Sequence, residues 1–204
     1  RGAMTNSSDF DAAAADPEAP TAEPGGNRRL SLITVDQILS SLSNIGVLVW
    51  VAHTYEPSDF GRFSLIMMVY IVAQVAVRSL ISTTVVVHPE EADERPRTIL
   101  ASAVVVGLGA GVLSAAAGAL LLLGDSHLAW PVLALAAPMP LLVVHDVGRS
   151  LGIARRQPGR AIVLDTLWIL LIVVGFAGVL MVEDAPLALP VLAWSGAGGV
   201  AALW

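Results

Sequence analysis

The sequence predicts an all-α integral membrane protein whose six transmembrane helices form one bundle, and three observations carry that expectation. Apolar runs fill the chain from about residue 33 onward. Of the 204 residues, 55% are hydrophobic and 14% charged, whereas about a quarter of a soluble domain is charged. The arginines, finally, fall in alternate loops. Each run approaches or exceeds the ~20 apolar residues that a helix needs to cross a bilayer. Strand-length segments of alternating polarity, about ten residues each, are not seen, so helices rather than a barrel satisfy the backbone in hydrocarbon.

Residues 1–30 are rich in Ala, Pro, Glu, Asp, Ser and Gly and offer almost no large apolar side chains. Such a segment cannot bury enough surface to offset chain entropy, so it is expected to be a disordered tail ahead of a six-span domain at 31–204. Met4 reads as the natural start, with Arg1-Gly2-Ala3 a remnant before it. The spans are expected at about 33–54, 61–87, 98–123, 128–154, 161–182 and 186–204. Arg28 and Arg29 precede the first, Arg95 and Arg97 separate the second from the third, and Arg155, Arg156 and Arg160 separate the fourth from the fifth. The intervening connections, with Glu56 and Asp59, with Asp125 and His127, and with Glu183 and Asp184, hold no arginine. Positively charged loops stay inside during insertion. Both termini of this multi-pass membrane protein are therefore expected in the cytoplasm. The last run reaches Trp204 with no polar cap, which leads to the expectation that the native chain continues.

Composition and motifs exclude several function classes. The formal net charge of −6 comes largely from the tail and from Glu90, Glu91, Asp93 and Glu94, and no basic patch suggests a nucleic-acid partner. Cysteine is absent, which excludes disulfides and cysteine metal sites. No nucleophile elbow or His-Glu-x-x-His occurs, the loops are too short for a soluble active site, and His53, His88 and His127 stand isolated at helix ends. Neither an enzyme nor a metal or cofactor is expected. Gly107, Gly111, Ser114 and Gly118 form a small-residue stripe for close helix contact, and Pro138 and Pro140 should kink the fourth span.

Ionisable side chains within spans are costly and count as functional candidates. Asp36, Gln37, Ser40, Ser41 and Asn44 share one face of the first helix and should line a cavity or another helix. Thr34-Val35-Asp36-Gln37 also fits a capping box, which would explain Asp36 and Gln37 but not the rest. Gln74 and Arg78 lie one turn apart on the second helix. Arg78 faces a cavity if the membrane boundary lies near His88, and reaches the headgroups if it lies near Ser82. His145, Asp146 and Arg149 end the fourth helix and Asp165 begins the fifth. A hairpin could bring Asp165 to Arg149, forming either a structural ion pair or a cytoplasmic gate.

His145-Asp146-Val147-Gly148-Arg149, Ala154-Arg155-Arg156-Gln157-Pro158-Gly159-Arg160-Ala161 and Leu164-Asp165-Thr166-Leu167-Trp168 resemble bacterial polysaccharide-export flippases of the multidrug/oligosaccharidyl-lipid/polysaccharide superfamily. Asp36-Gln37, Ser43-Asn44, Glu56-Pro57-Ser58-Asp59-Phe60-Gly61-Arg62-Phe63 and Arg78-Ser79-Leu80-Ile81 are similar to the same family's pattern. The resemblance covers about 33–204 and implies the N-terminal half of a two-bundle transporter that moves a lipid-linked oligosaccharide to the outer leaflet. The missing half, or a second copy, is then a partner, and glycan-assembly enzymes are further candidates. It also implies alternating access around a cavity in which Arg78 meets diphosphate, Ser40, Asn44 and Gln74 meet sugar hydroxyls or water, and Asp36 couples to a proton or cation. The alternatives are a small-molecule exporter of the same superfamily, which needs an acidic cavity, and a scaffold that recruits glycan-assembly enzymes without transport.

Overall fold

The computed structural model describes residues 26–124 and 126–203, with side chains from Ser31 onward. Most of the expected tail, residues 1–25, lies outside that range. Every regular element among the described residues is helical: α1 (Gly26–Thr54), α2 (Pro57–Val77), a π-helical turn (Arg78–Ser82), α3 (Thr83–Val87), α4 (Pro89–Glu94), α5 (Pro96–Leu123), α6 (Ala129–Ala136), α7 (Met139–Ala154), α8 (Pro158–Val179) and α9 (Ala188–Ala201). Segments 31–54, 57–87, 96–123 and 158–179 are long and apolar enough to cross a membrane, and α6 with α7 makes a fifth if the bent pair is one span. The last apolar run is helical over only 14 residues, about 21 Å at 1.5 Å per residue, short of the ~30 Å hydrocarbon core.

Prolines stand at the first or second position of five of these helices, where the missing N–H costs nothing. At one of those starts, that of α7, prolines also break a span. Pro138 and Pro140 interrupt the fourth expected span, and α6 and α7 meet at 52°. A proline ring cannot donate to the residue four before it and clashes with that carbonyl. The helix therefore restarts at Met139.

The small-residue stripe of α5 receives this break. A Cβ on Gly107 would come within 2.6 Å of the Pro140 Cα, one on Gly111 within 2.9 Å of the Ala136 carbonyl, and one on Gly118 within 2.7 Å of Leu133. Backbone touches backbone along this seam, which is what small residues in membrane helices permit. α7 consequently sits in the middle, packed against α2, α3, α4, α5, α8 and α9.

The outer surface is inverted relative to a soluble protein. Val72, Val105, Val112, Leu113, Leu120, Leu170 and Val174 are exposed on the long helices, as lipid contact requires. Inside, Phe63, Tyr70, Met139, Leu142, Trp168, Val191 and Trp194 form the main apolar core. Tyr70 meets the Trp194 ring edge-on at 4.9 Å, and Trp168 Nε1 donates to the Trp194 carbonyl at 3.1 Å, so α8 and α9 are bonded as well as packed.

The α5 seam is directly testable. Gly107→Ala should lower stability by about 1–3 kcal/mol, the usual range for overpacking. Gly109→Ala, where an added Cβ meets nothing within 4 Å, should be neutral or slightly stabilising because alanine favours helix. Thermal unfolding in detergent micelles distinguishes the two, and equal effects would refute the close contact.

Candidate functional site

The long first helix decides what Asp36 can do. α1 begins at Gly26, so Thr34 and Asp36 lie well inside it and the capping-box alternative does not hold. Asp36 and Ser40, one turn apart, both point inward at 2% and 7% exposure. The predicted five-residue face divides: Gln37 and Ser41 are exposed, and Asn44 is half-buried.

On α2 the inward face runs through Phe63, Ile66, Met67, Tyr70 and Val77, with Gln74 half-buried between. It then shifts by one residue to Ser82 and Val85. The π-helical turn causes this shift. The Thr83 amide donates to the Arg78 carbonyl five residues back, and the Thr83 hydroxyl donates to the same oxygen at 3.0 Å. Without that extra residue Ser82 would leave the inner face. Such single π turns often mark functional positions in a helix.

The cluster is assembled on α7. Arg78 grips Asp146 with two nitrogens: Nη2 lies 2.7 Å from Oδ1, and Nε lies 3.1 Å from each oxygen. Gln74 donates to the same Asp146 Oδ1 at 3.1 Å and to the Tyr70 hydroxyl at 3.4 Å. One turn further, Arg149 reaches the first helix, with Nη2 at 2.6 Å from Asp36 Oδ2 and Nη1 donating to Ser40 Oγ at 3.3 Å. Its Nε lies 3.0 Å from Asp165 Oδ1 on α8. The N–H is not aimed along that contact, since both atoms lack a hydrogen-bond partner. It is a charge contact rather than an aligned hydrogen bond. Arg149 and Asp146, three residues apart, approach at 3.9 Å.

The sequence separates cavity candidates (Asp36, Ser40, Asn44, Gln74, Arg78) from a hairpin ion pair (Asp146, Arg149, Asp165). In space all but Asn44 belong to one network. Ser40 and Gln74 are engaged within it, and the Asn44 Oδ1 is buried with no partner. Tyr70 and His145 join the same cluster. Tyr70, four residues before Gln74, carried a helical-spacing signal that could have found it.

One side of this network is open. A cleft of about 320 Å³ between α1, the α2–α3 segment and α7 is lined by Asp36, Gln37, Arg78, Ser82, Thr83, Asp146, Arg149 and Ser150 among apolar neighbours. The Arg78 side chain is 41% exposed there, whereas Asp146 is 4% exposed. The Ser82 hydroxyl, also on the cleft, is buried without a hydrogen-bond partner. Arg78 is thus the more accessible of the two arginines in the cluster.

At the hairpin end of the bundle, Arg155 Nε contacts Asp93 Oδ1 at 3.1 Å, joining the 88–95 loop to the 155–160 turn. The two arginine-bearing loops therefore share one end of the molecule. Arg156 turns the α7–α8 hairpin at φ 57°, with the Gln157 amide bonded to the Gly152 carbonyl at 2.8 Å.

No family model, curated protein or solved structure matches this chain.

Replacing Arg149 by methionine would leave Asp36 and Asp165 without their shared cation, and removing one partner of a buried pair costs about 3–5 kcal/mol. Asp36→Asn added to Arg149→Met should recover part of the loss. A double-mutant cycle read by denaturant unfolding in micelles should give a coupling of about 1 kcal/mol or more, and additive effects would mean that the pair contributes no coupling.

Proposed function

We propose that this chain is the N-terminal six-helix bundle of a transporter that flips a polyprenyl-diphosphate-linked oligosaccharide across a bacterial cytoplasmic membrane by alternating access. The observation that carries this reading is Arg78: a half-exposed guanidinium set in a polar cleft of an otherwise apolar helical protein. A diphosphate headgroup moving through hydrocarbon must exchange its hydration for fixed donors. Arginine binds phosphate oxygens through paired, charge-assisted hydrogen bonds. Gln37 and Ser82 line the same cleft and supply neutral donors for phosphate or sugar oxygens, while the hydroxyls of Thr83 and Ser150, which donate to the Arg78 and Asp146 carbonyls, offer acceptors to sugar hydroxyls. The resemblance of the motifs around Asp36, Arg78, Asp146 and Asp165 to polysaccharide-export flippases points the same way.

In this reading α9 completes the sixth span together with the residues that flank it. The loops carrying Arg95, Arg97, Arg155, Arg156 and Arg160 face the cytoplasm, as do both termini. A second bundle, from the rest of a longer chain or from a second copy, closes the cavity opposite the cleft. Two bundles rocking about a midplane site would then expose Arg78 to each side in turn.

A second reading draws on one specific feature: the cluster holds Asp36, Asp146 and Asp165 against Arg78 and Arg149, an excess of carboxylate that suits an exporter of small cations. The two readings differ in which residue the cargo needs. Arg78→Gln paired with Asp146→Asn removes the exposed cation and its counter-charge together, so the fold is not left with an unpaired buried charge. In the source membrane, the flippase reading expects inner-leaflet lipid-linked oligosaccharide to accumulate and export to fall about tenfold or more, the loss of one charge-assisted contact of ~1.5–3 kcal/mol. Unchanged export at equal protein level would leave the exporter or a scaffold.

A further inference from the structure

Counting the charges of the buried cluster leaves a remainder. Two arginines face three aspartates, and Asp165, the most deeply buried of the three at 1% exposure, has no hydrogen bond to either carboxylate oxygen. Its one cation, Arg149, is shared with Asp36, and a carboxylate only partly compensated in such a place is costly by the usual desolvation argument. Something must neutralise it.

The neighbour that can do so is His145. It is 3% exposed, and its Nε2, also without a hydrogen-bond partner, lies 3.9 Å from Asp165 Oδ1. The backbone of Leu164 lies on the other side of the ring. In the tautomer whose Nδ1 carries the hydrogen toward that backbone, the Nε2 lone pair turns toward a carboxylate oxygen. Two acceptors facing each other repel, and one proton between them converts the repulsion into a hydrogen bond. We propose that His145 and Asp165 form an exchangeable proton-binding site, in which a protonated Asp165 donates to His145 Nε2 and the buried cluster becomes electrically neutral.

The surroundings agree with a proton rather than a metal ion. Among the described residues no group of three or more His, Cys, Asp or Glu is placed to hold a metal, and Arg149 Nε at 3.0 Å would repel a bound cation. The facing groups are Asp36 from α1, Tyr70 and Arg78 from α2 and the π turn, and Asp146 and Arg149 from α7, with Arg155 and Arg160 on the cleft beside His145. α5 and α9 bring no titratable side chain to the pair. A route for exchange exists: a second cleft of about 230 Å³ opens at the α7–α8 hairpin and is lined by His145, Gly148, Leu164, Arg155, Gln157 and Arg160. Water in that cleft delivers or removes the proton at His145. When the proton leaves, Asp165 is ionised and draws on Arg149, the residue that also holds Asp36 at 2.6 Å. The His145 ring lies edge-on to Trp168 at 5.0 Å, so the state of the pair is felt by the tryptophan that ties α8 to α9.

This site stands on the cluster's geometry and does not require the cargo to be a glycolipid. The test is infrared spectroscopy of the purified full chain in nanodiscs of phosphatidylethanolamine and phosphatidylglycerol, recorded as pH differences. The wild type should show a carboxylic-acid C=O band at neutral pH that Asp165→Asn removes and Asp36→Asn retains, and His145→Gln should move the pH at which it titrates. Asparagine keeps the size of a protonated aspartate, so the fold should survive. Tryptophan emission of the wild type, to which Trp168 contributes as one of five tryptophans, followed over about pH 5–8, should change over the same interval as the band, and Trp168→Phe should remove that change. A wild type with no such band at neutral pH, or a band unaltered by Asp165→Asn, overturns the proposal, whatever the outcome of the export assay.

Discussion

Everything polar in this bundle depends on the burial of Arg149. A guanidinium cannot be deprotonated to escape an apolar interior, so a helix that carries one must bring carboxylates to it from its neighbours. Here they come from both sides, Asp36 on α1 at 2.6 Å and Asp165 on α8 at 3.0 Å. The geometry fixes three helices in one register. Sliding α1 by a single turn, about 5.4 Å, would strand Asp36 among apolar side chains and leave the arginine half-paired. Apolar packing alone tolerates such slips, because one leucine-rich face resembles the next. An ion pair in a low-dielectric setting does not.

The apolar half of the molecule makes that arrangement possible. Charges can converge on α7 because α7 is central, and α7 is central because Pro138 and Pro140 release it from α6 at 52° and the glycines of α5 let the break come in close. Gly107 and Gly111 touch the chain at Pro140 and Ala136, where any side chain would push α7 outward. The aromatic core of Phe63, Tyr70, Trp168 and Trp194 fills the remaining space. Tyr70 belongs to both halves: its ring packs on Trp194 and its hydroxyl accepts from Gln74.

How legible this was in the sequence varies with the kind of signal. Apolar length and the two prolines announce helices and a kink, since both act locally on the backbone. The small-residue stripe announces a close contact but not its partner, which only the bend creates. The pairings were legible only in part. The hairpin does bring Asp165 to Arg149, at 3.0 Å, but the stronger partners lie far off in sequence: Asp146 is gripped by Arg78 and Arg149 by Asp36, across 68 and 113 residues. Local spacing cannot rank a near neighbour above a distant one. The π turn was also hidden, because a regular 3.6-residue period carries the inner face from Val77 to Ile81 and misses Ser82. The helix upstream of Thr34, present from Gly26 on, decides between capping and burial for Asp36, and nothing in the sequence of residues 26–30 marks it strongly.

The half-exposed cation and the proton site proposed above are joined through Asp146. An anion that takes Arg78 deprives Asp146 of its main partner, and a carboxylate at 4% exposure cannot turn to water instead. Its nearest remaining cation is Arg149, already 3.9 Å away. If Arg149 moves toward Asp146, it loosens from Asp165, and Asp165 then holds a proton more firmly. On the two readings proposed above, anion binding in one cleft would favour proton binding beside the other, through a shift of one guanidinium by about an ångström, the gap between that contact and an ordinary hydrogen bond. Linkage makes the effect reciprocal: a proton on Asp165 frees Arg149 for Asp146 and so makes Arg78 easier to capture. A buried network with an odd charge is unstable as a static brace, but it suits a device in which one site must register what occupies another.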